Sequence, residues 1–212
     1  MGLTCFQNGS LARERVREDH ALTWSEFSHA LASTPAGNGA RLMLPWFSPE
    51  ITPPVNAPGV HRYGPAHDPS DVRAVVEGQM LSMAFHSRWM VSRVETIHAT
   101  GGGAINREIL QVMADVFGAR VLQMPVGNSA ALGAALRAAH AHILARNEAA
   151  RWADVIAGLA EPLANSRVDP DPDRHSLYRD MESVYAACEA HALGRGPDPG
   201  PWLEHFRHRA HQ

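Results

Sequence analysis

Three consecutive glycines, Gly101, Gly102 and Gly103, follow the strand-like stretch 94–99 and precede a helical pattern starting at Ile105. Without Cβ atoms, such a turn admits positive φ and lets a ligand approach the backbone. The helix behind it offers unpaired amides and the positive end of its dipole, a setting that attracts phosphate. Asn106 stands three residues past Gly103. Its side-chain amide donates and accepts, which suits a purine edge or a ribose hydroxyl. Asn also caps helices, and a glycine turn before a helix is often purely structural, so both readings stay open. The run is not Gly-x-Gly-x-x-Gly, because position 106 is Asn, and no Gly-Lys-Ser/Thr of a Walker loop occurs.

Other chemistries find less support. Ser10, Ser70, Ser82 and Ser129 sit at helix starts or on helix faces, without a Gly-x-Ser-x-Gly elbow. No carboxylate stands in the glycine-rich loop, so no catalytic residue is assigned. Of 13 histidines, His205, His208 and His211 are three apart and His140 and His142 flank Ala141. No carboxylate or cysteine shell accompanies them, so no metal ligand is assigned. Cys5 and Cys188 make neither a disulfide framework nor a four-ligand zinc site. Arg13, Arg15 and Arg17, mixed with Glu14, Glu18 and Asp19, read as a solvated helix face.

The elements that must position the glycine turn come next. Residues 1–7 alternate like a short strand, and Asn8-Gly9-Ser10 turns into a helix capped by Ser10 and running through His20. Thr23-Trp24-Ser25-Glu26 is a capping box, and its helix ends before Pro35. Gly37-Asn38-Gly39 is a turn, and residues 41–47 are a strand broken by Pro45. Residues 48–69 hold six prolines and read as a long exposed loop. With Pro69 favoured at a first helical position, Val72, Val75, Val76, Gln79, Met80, Met83 and Ala84 form one buried stripe of a helix running to about Met90.

A strand at 94–99, the glycine turn, an amphipathic helix at 105–117 closed by Gly118, a strand at 121–124 and an alanine-rich helix at 130–145 follow. In that helix, entered through a loop at 125–128, Gly133 and its alanines suit close packing against a sheet. This order makes a βαβα unit, hence parallel strands in an α/β layer. Residues 147–160 continue as helix, Pro162 and 169–173 form a linker, 177–192 is a short helix, and the chain from Gly194 on is loosely ordered.

The chain has 212 residues, 45% apolar and 19% charged, with a net charge of −3. That is a globular composition with a real core, and it lacks the basic face a nucleic-acid binder needs. No apolar run reaches the roughly 18 residues of a membrane span, and no basic leader precedes one. A cytoplasmic protein is expected.

The stretch Ala99-Thr100-Gly101-Gly102-Gly103-Ala104-Ile105-Asn106-Arg107-Glu108-Ile109 through Gly118-Ala119 resembles the C-terminal signature of the FGGY carbohydrate kinases. Val121 to Asn128-Ser129-Ala130-Ala131-Leu132-Gly133-Ala134-Ala135 resembles that family's next block. Cys5-Phe6-Gln7-Asn8-Gly9-Ser10, Trp24-Ser25-Glu26-Phe27, Gly37-Asn38-Gly39, Glu50-Ile51-Thr52-Pro53 and Val72-Arg73-Ala74-Val75-Val76-Glu77-Gly78-Gln79 are similar to xylulokinases in particular. The likeness covers roughly residues 1–145 in register.

The resemblance implies an α/β, actin-like, ribonuclease-H-like ATPase fold of two domains around a cleft, of which this chain holds only the C-terminal one, its sheet cut short. Residues 1–145 are that nucleotide-binding domain, and 146–212 a helical extension and tail. It implies Mg·ATP as the ligand of this domain. Gly101, Gly102 and Gly103 then lie against the nucleotide, Asn106 contacts the adenosine and Trp24 lies beside it. It places the sugar site, the catalytic Asp and the metal loop in an N-terminal half outside this sequence. D-xylulose would bind only with that half, which could also be a separate complementing chain. This chain alone is expected to be inactive, since phosphoryl transfer needs both walls of the cleft.

Overall fold

The computed structural model describes residues 2–64, 68, 70–90, 93–125, 128–146 and 149–210. Met1, Pro69, Gly127, Asn147 and His211, which entered the sequence reading, lie outside the described residues.

Helix α3, Asp71–Ser87, organises the molecule. Every residue from Asp71 to Leu81 is buried, so the expected single stripe is in fact a helix covered on all sides. Strand β1, Leu42–Trp46, lies along it and is wholly buried. The approach is set by Gly78, where a Cβ would fall 2.0 Å from the Met43 carbonyl oxygen. β1 pairs antiparallel with β2, Gly59–Tyr63, in a two-stranded sheet. Pro45 sits inside β1 opposite Val60 and does not break it. Among the described residues one edge of β1 carries no ladder, and a proline facing such an edge sacrifices no bond. The long proline-rich loop is therefore shorter than expected, because β2 is built from it.

Polar residues on a buried helix need partners. Gln79 donates to the carbonyls of Asn8 (2.7 Å) and Gly9 (2.8 Å), where α1, Ser10–Asp19, begins. Arg73 donates to the Leu31 and Thr34 carbonyls at the end of α2, Trp24–Ser33. It also pairs with Glu77 at 2.7 Å, and the Tyr178 hydroxyl donates to the same carboxylate. These side chains use the charged and amide groups of α3 to fix its neighbours. The capping box is present in full: Thr23 accepts from the Glu26 amide and Glu26 accepts from the Thr23 amide. Ser10, in contrast, is the first helical residue and caps nothing.

Residues 2–6 are not a strand. The Glu50 carboxylate holds the chain just after them, accepting from the Gln7 and Asn8 amides and the Asn8 side chain. A carboxylate with several amide donors anchors a chain as irregular backbone, and among the described residues no strand lies alongside to give it a ladder.

The βαβα unit stands. Strand β3, Thr96–Ala99, pairs parallel with β4, Arg120–Gln123, across α4, Arg107–Phe117. Gly118 closes α4 in the left-handed region at φ 60°. Ile109, Val112 and Val116 are buried, but Ile105 precedes α4 and is 78% exposed. On its other edge β4 meets Val168, through paired amide–carbonyl bonds with Val121 of 2.8 and 2.9 Å. Among the described residues no strand covers the other edge of β3.

Helix α5, Ser129–Ala145, forms as expected, but its only buried residue is His140. A Cβ on Gly133 would meet nothing within 4 Å. Among the described residues the small residues thus pack against no sheet. The helix expected over 147–160 reduces to α6, Trp152–Ile156, whose Trp152 stacks on His140 at 4.1 Å.

Beyond it, α7, Pro172–Ala192, is long and central. Tyr178, Met181, Val184, Tyr185 and Cys188 enter the main core. Asp171 caps α7 and Pro172 opens it, so the acidic proline-rich linker is a helix start. The segment from Gly194 on carries α8, Gly200–Ala210, which buries Leu203 and Phe206. Its composition, dominated by Gly, Pro, Arg and His, points to loose order; two apolar residues three apart suffice to dock it.

Candidate functional site

Helix α1, helix α2 and the glycine turn meet around a cavity of about 550 Å³. Gly102, Gly103, Asn106 and Trp24 line it, together with Ser10, Arg13 and Glu14 of α1. Gly101 lies outside the lining, one residue before it.

The turn takes its shape from Gly101. At φ 86° and ψ −176° it occupies backbone space that residues with a Cβ avoid. A 3-10 turn over Gly102–Ile105 follows. Among the described residues the Gly102 and Gly103 amides make no hydrogen bond, as expected of donors at a helical start. No Cβ obstacle lies near Gly101 or Gly102, so the space over the turn is free.

Asn106 resolves its two readings toward the cap. Its Oδ1 accepts from the Glu108 amide at 3.0 Å and the Ile109 amide at 3.2 Å. Its Nδ2 donates to the Ser28 hydroxyl at 2.7 Å, tying α2 to α4. The acceptor is saturated; one amide hydrogen remains for a ligand.

Trp24 is the first residue of α2, aimed outward by the capping box and 48% exposed. Its ring meets Phe27 edge-on at 5.4 Å and the Arg17 guanidinium at 5.3 Å. An aromatic plane fixed at a cavity wall is a surface for a base to stack on.

Sequence reasoning missed Arg13 and Glu14, which it assigns to a solvated face. Arg13 donates to Gln79 at 2.7 Å, and its other terminal nitrogen passes 2.8 Å from where a Cβ of Gly103 would stand. Burial pulls its pKa down, yet a guanidinium keeps its charge at neutral pH. The signal was available: Ser10, Arg13 and Glu14 stand at i, i+3 and i+4, one helical face starting at a turn. What hid it was the equal spacing of charges on the other faces.

This arrangement has free amides, a cation, an aromatic plane and one spare amide hydrogen. It can hold an anionic, ring-bearing ligand. It has one carboxylate, Glu14, on its wall. Among the described residues no group of three His, Cys, Asp or Glu side chains converges as a metal cage.

A small parallel sheet, a glycine turn over a helix start and flanking helices fit the actin-like, ribonuclease-H-like half that the sequence resemblance implies. The fold agrees with solved sugar kinases. Against ligand-bound xylulose kinase from Lactobacillus acidophilus the TM-score is 0.76 at 22% identity, over 89% of this chain and 39% of that one. Against Plasmodium falciparum glycerol kinase with ADP it is 0.59 at 18% identity, over 83% and 35%. The family model described as the FGGY family of carbohydrate kinases, C-terminal domain, matches residues 3–142. This chain belongs to that family. Among curated relatives, the xylulose kinase of Rattus norvegicus is 36% identical over 210 residues, covering 94% of this chain and 38% of that protein. Xylulose kinase 2 of Arabidopsis thaliana is 36% identical over 161 residues, covering 66% and 29%. The chain thus spans well under half the length of these relatives.

Proposed function

We propose that this chain is the nucleotide-binding part of a xylulokinase-like sugar kinase. In the whole enzyme, phosphate would pass from ATP to D-xylulose. The observation that carries this reading is the cavity itself, which gathers Gly102, Gly103 and Asn106 from one segment and Trp24 from another. In it the Gly102 and Gly103 amides and Arg13 face phosphate oxygens, and Trp24 stacks on the base. The spare Asn106 hydrogen donates to the adenosine, and Glu14 accepts from a hydroxyl. Magnesium would arrive on the phosphates, since octahedral Mg is commonly held by substrate oxygens, water and few carboxylates.

Among the described residues lining the cavity the one carboxylate, Glu14, is assigned to a nucleotide hydroxyl, so on this reading the chain by itself binds nucleotide without turning it over. Its place of work is the cytoplasm.

A second reading has its own support. The free edge of β3 and the exposed, alanine-rich α5 are complementary to a further strand and the layer that goes with it. The chain would then be a non-catalytic subunit that pairs with a separately made N-terminal half.

Calorimetric titration with Mg·ADP tests the first reading. Trp24→Ala should weaken binding, with about 1–3 kcal/mol lost for a stacked base. Asn106→Asp keeps the helix cap but puts a negative charge on the cavity wall in place of the donating amide, and should also weaken binding. Wild-type affinity in both variants, or no binding by the folded chain, refutes the reading. Co-expression with the N-terminal half of a relative tests the second: a stable complex supports it, and independent migration of the two chains removes it.

A further inference from the structure

At the opposite end of α4 from Asn106, about 16 Å away by helix rise, lies a second cavity of about 460 Å³. The ends of α3 and α4 and the middle of α7 form its walls. Arg88, Arg93 and Arg179 line it, with His175, against a single carboxylate, Glu182. On a chain of net charge −3, that is a local excess of cations.

The arginines differ in their duties. Arg88 caps α3 and pairs with Glu182, so its charge is already answered. Arg93 and Arg179 have no hydrogen-bond or ion-pair partner among the described residues. Neither serves a helix end. Arg93 precedes β3, and Arg179 stands in mid-α7, where helix-dipole compensation does not apply. His175 is fixed by an Nδ1–H donated to the Asp115 carbonyl at 2.8 Å, which leaves Nε2 as the open nitrogen. Gly118 makes room for that ring, since a Cβ there would come within 2.5 Å of His175 Nε2. An adjoining hollow adds Arg120 but also Glu95 and Asp169, so the cation excess belongs to the first cavity alone.

We infer that this cavity is a binding site for a small phosphorylated or otherwise polyanionic molecule, held by Arg93 and Arg179, with His175 Nε2 as an acceptor for a hydroxyl of the ligand. Two guanidiniums with no partner among the described residues present forked donors matched to phosphate oxygens. The volume admits a ligand larger than one free phosphate. The site shares no residue with the cavity at Asn106, and the inference does not depend on the nucleotide reading.

Inorganic pyrophosphate is the probe, titrated calorimetrically into the full chain at constant ionic strength. Saturable binding is expected, weakened about tenfold or more in Arg179→Ala and in Arg93→Ala. Binding should stay at the wild-type level in Asn106→Asp, which sets it apart from any phosphate held at the glycine turn. Because both arginines are exposed and unpartnered, each variant should unfold within about 2 °C of the wild type. Absence of saturable binding overturns the inference. So does unchanged affinity in both arginine variants, or loss only in Asn106→Asp.

Discussion

Asn106 is where the structure gives the sharpest prediction, because one side chain does two structural jobs beside the candidate ligand. Replacing it by Ala removes the acceptor for the Glu108 and Ile109 amides and the donor to Ser28. Loss of an N-cap costs about 1 kcal/mol, and loss of a half-buried side-chain bond adds about 1 kcal/mol more. For a chain of this size each kcal/mol moves the Tm by about 2–4 °C. Asn106→Ala should therefore lower the Tm by about 4–8 °C. Asn106→Asp keeps the acceptor, adds favourable charge at the start of α4, and can accept from the Ser28 hydroxyl if that hydroxyl turns from the Trp24 carbonyl. Its Tm should lie within about 3 °C of the wild type. Thermal unfolding followed by far-ultraviolet circular dichroism gives both numbers. If Asp proves as damaging as Ala, or if Ala is harmless, the capping role is wrong. The contrast also matters for the ligand: lost nucleotide binding in Asn106→Ala mixes stability with recognition, whereas in Asn106→Asp it reports recognition.

The same structure sets other outcomes. Gly101→Ala should cost about 1–3 kcal/mol in a denaturant titration, from backbone strain alone, because φ is 86° and nothing crowds the added methyl. Gly78→Ala should be worse than the roughly 1–3 kcal/mol usual for overpacking, since its methyl would meet the Met43 carbonyl oxygen; wild-type stability would disprove the close approach of α3 to β1. With an aromatic disulfide reagent, the native chain should show one fast thiol, Cys5, and the denatured chain two. Burial pushes the Cys188 thiol up from 9.0 to about 12. The folded state therefore binds that proton more tightly, and its stabilising contribution is complete below about pH 9 and is lost as pH rises toward 12. Cys188→Ala should flatten the alkaline decline, measured as unfolding free energy against pH; an unchanged slope would assign the decline to other groups.

Local signals carried far in this chain. Thr23 and Glu26, three apart, are enough to start α2 and so to aim Trp24, because a capping box is closed by neighbours in sequence. Gly118 ends α4 for a reason equally local, the absent Cβ. Strand, glycine turn, helix and strand in that order dictate the parallel pair β3 and β4, since only a helical crossover returns the chain in the same direction. The blocks around Gly101 and Trp24 also carried the family, which the match over residues 3–142 and the xylulose kinase relatives bear out.

Tertiary contacts decided the rest. Nothing in 1–7 reveals that Glu50 would hold its end as irregular chain, because that bond joins residues more than forty apart. The burial of α3 on every side, the strand drawn from the proline-rich loop, and the docking of α7 and α8 depend on surfaces brought together only on folding. So does Arg13: its charge pattern reads as solvated until Gln79 and the glycine turn close around it. Asn106 shows the division most plainly. Its type and place at the helix start were enough to name cap and ligand contact as its two candidate roles, of which the structure shows the cap. Only the position of Ser28, seventy-eight residues away, fixes how many of its hydrogen bonds are left for a ligand. Propensity and capping act over a few residues, and sequence records them directly; long-range partners are set by the entire packed chain.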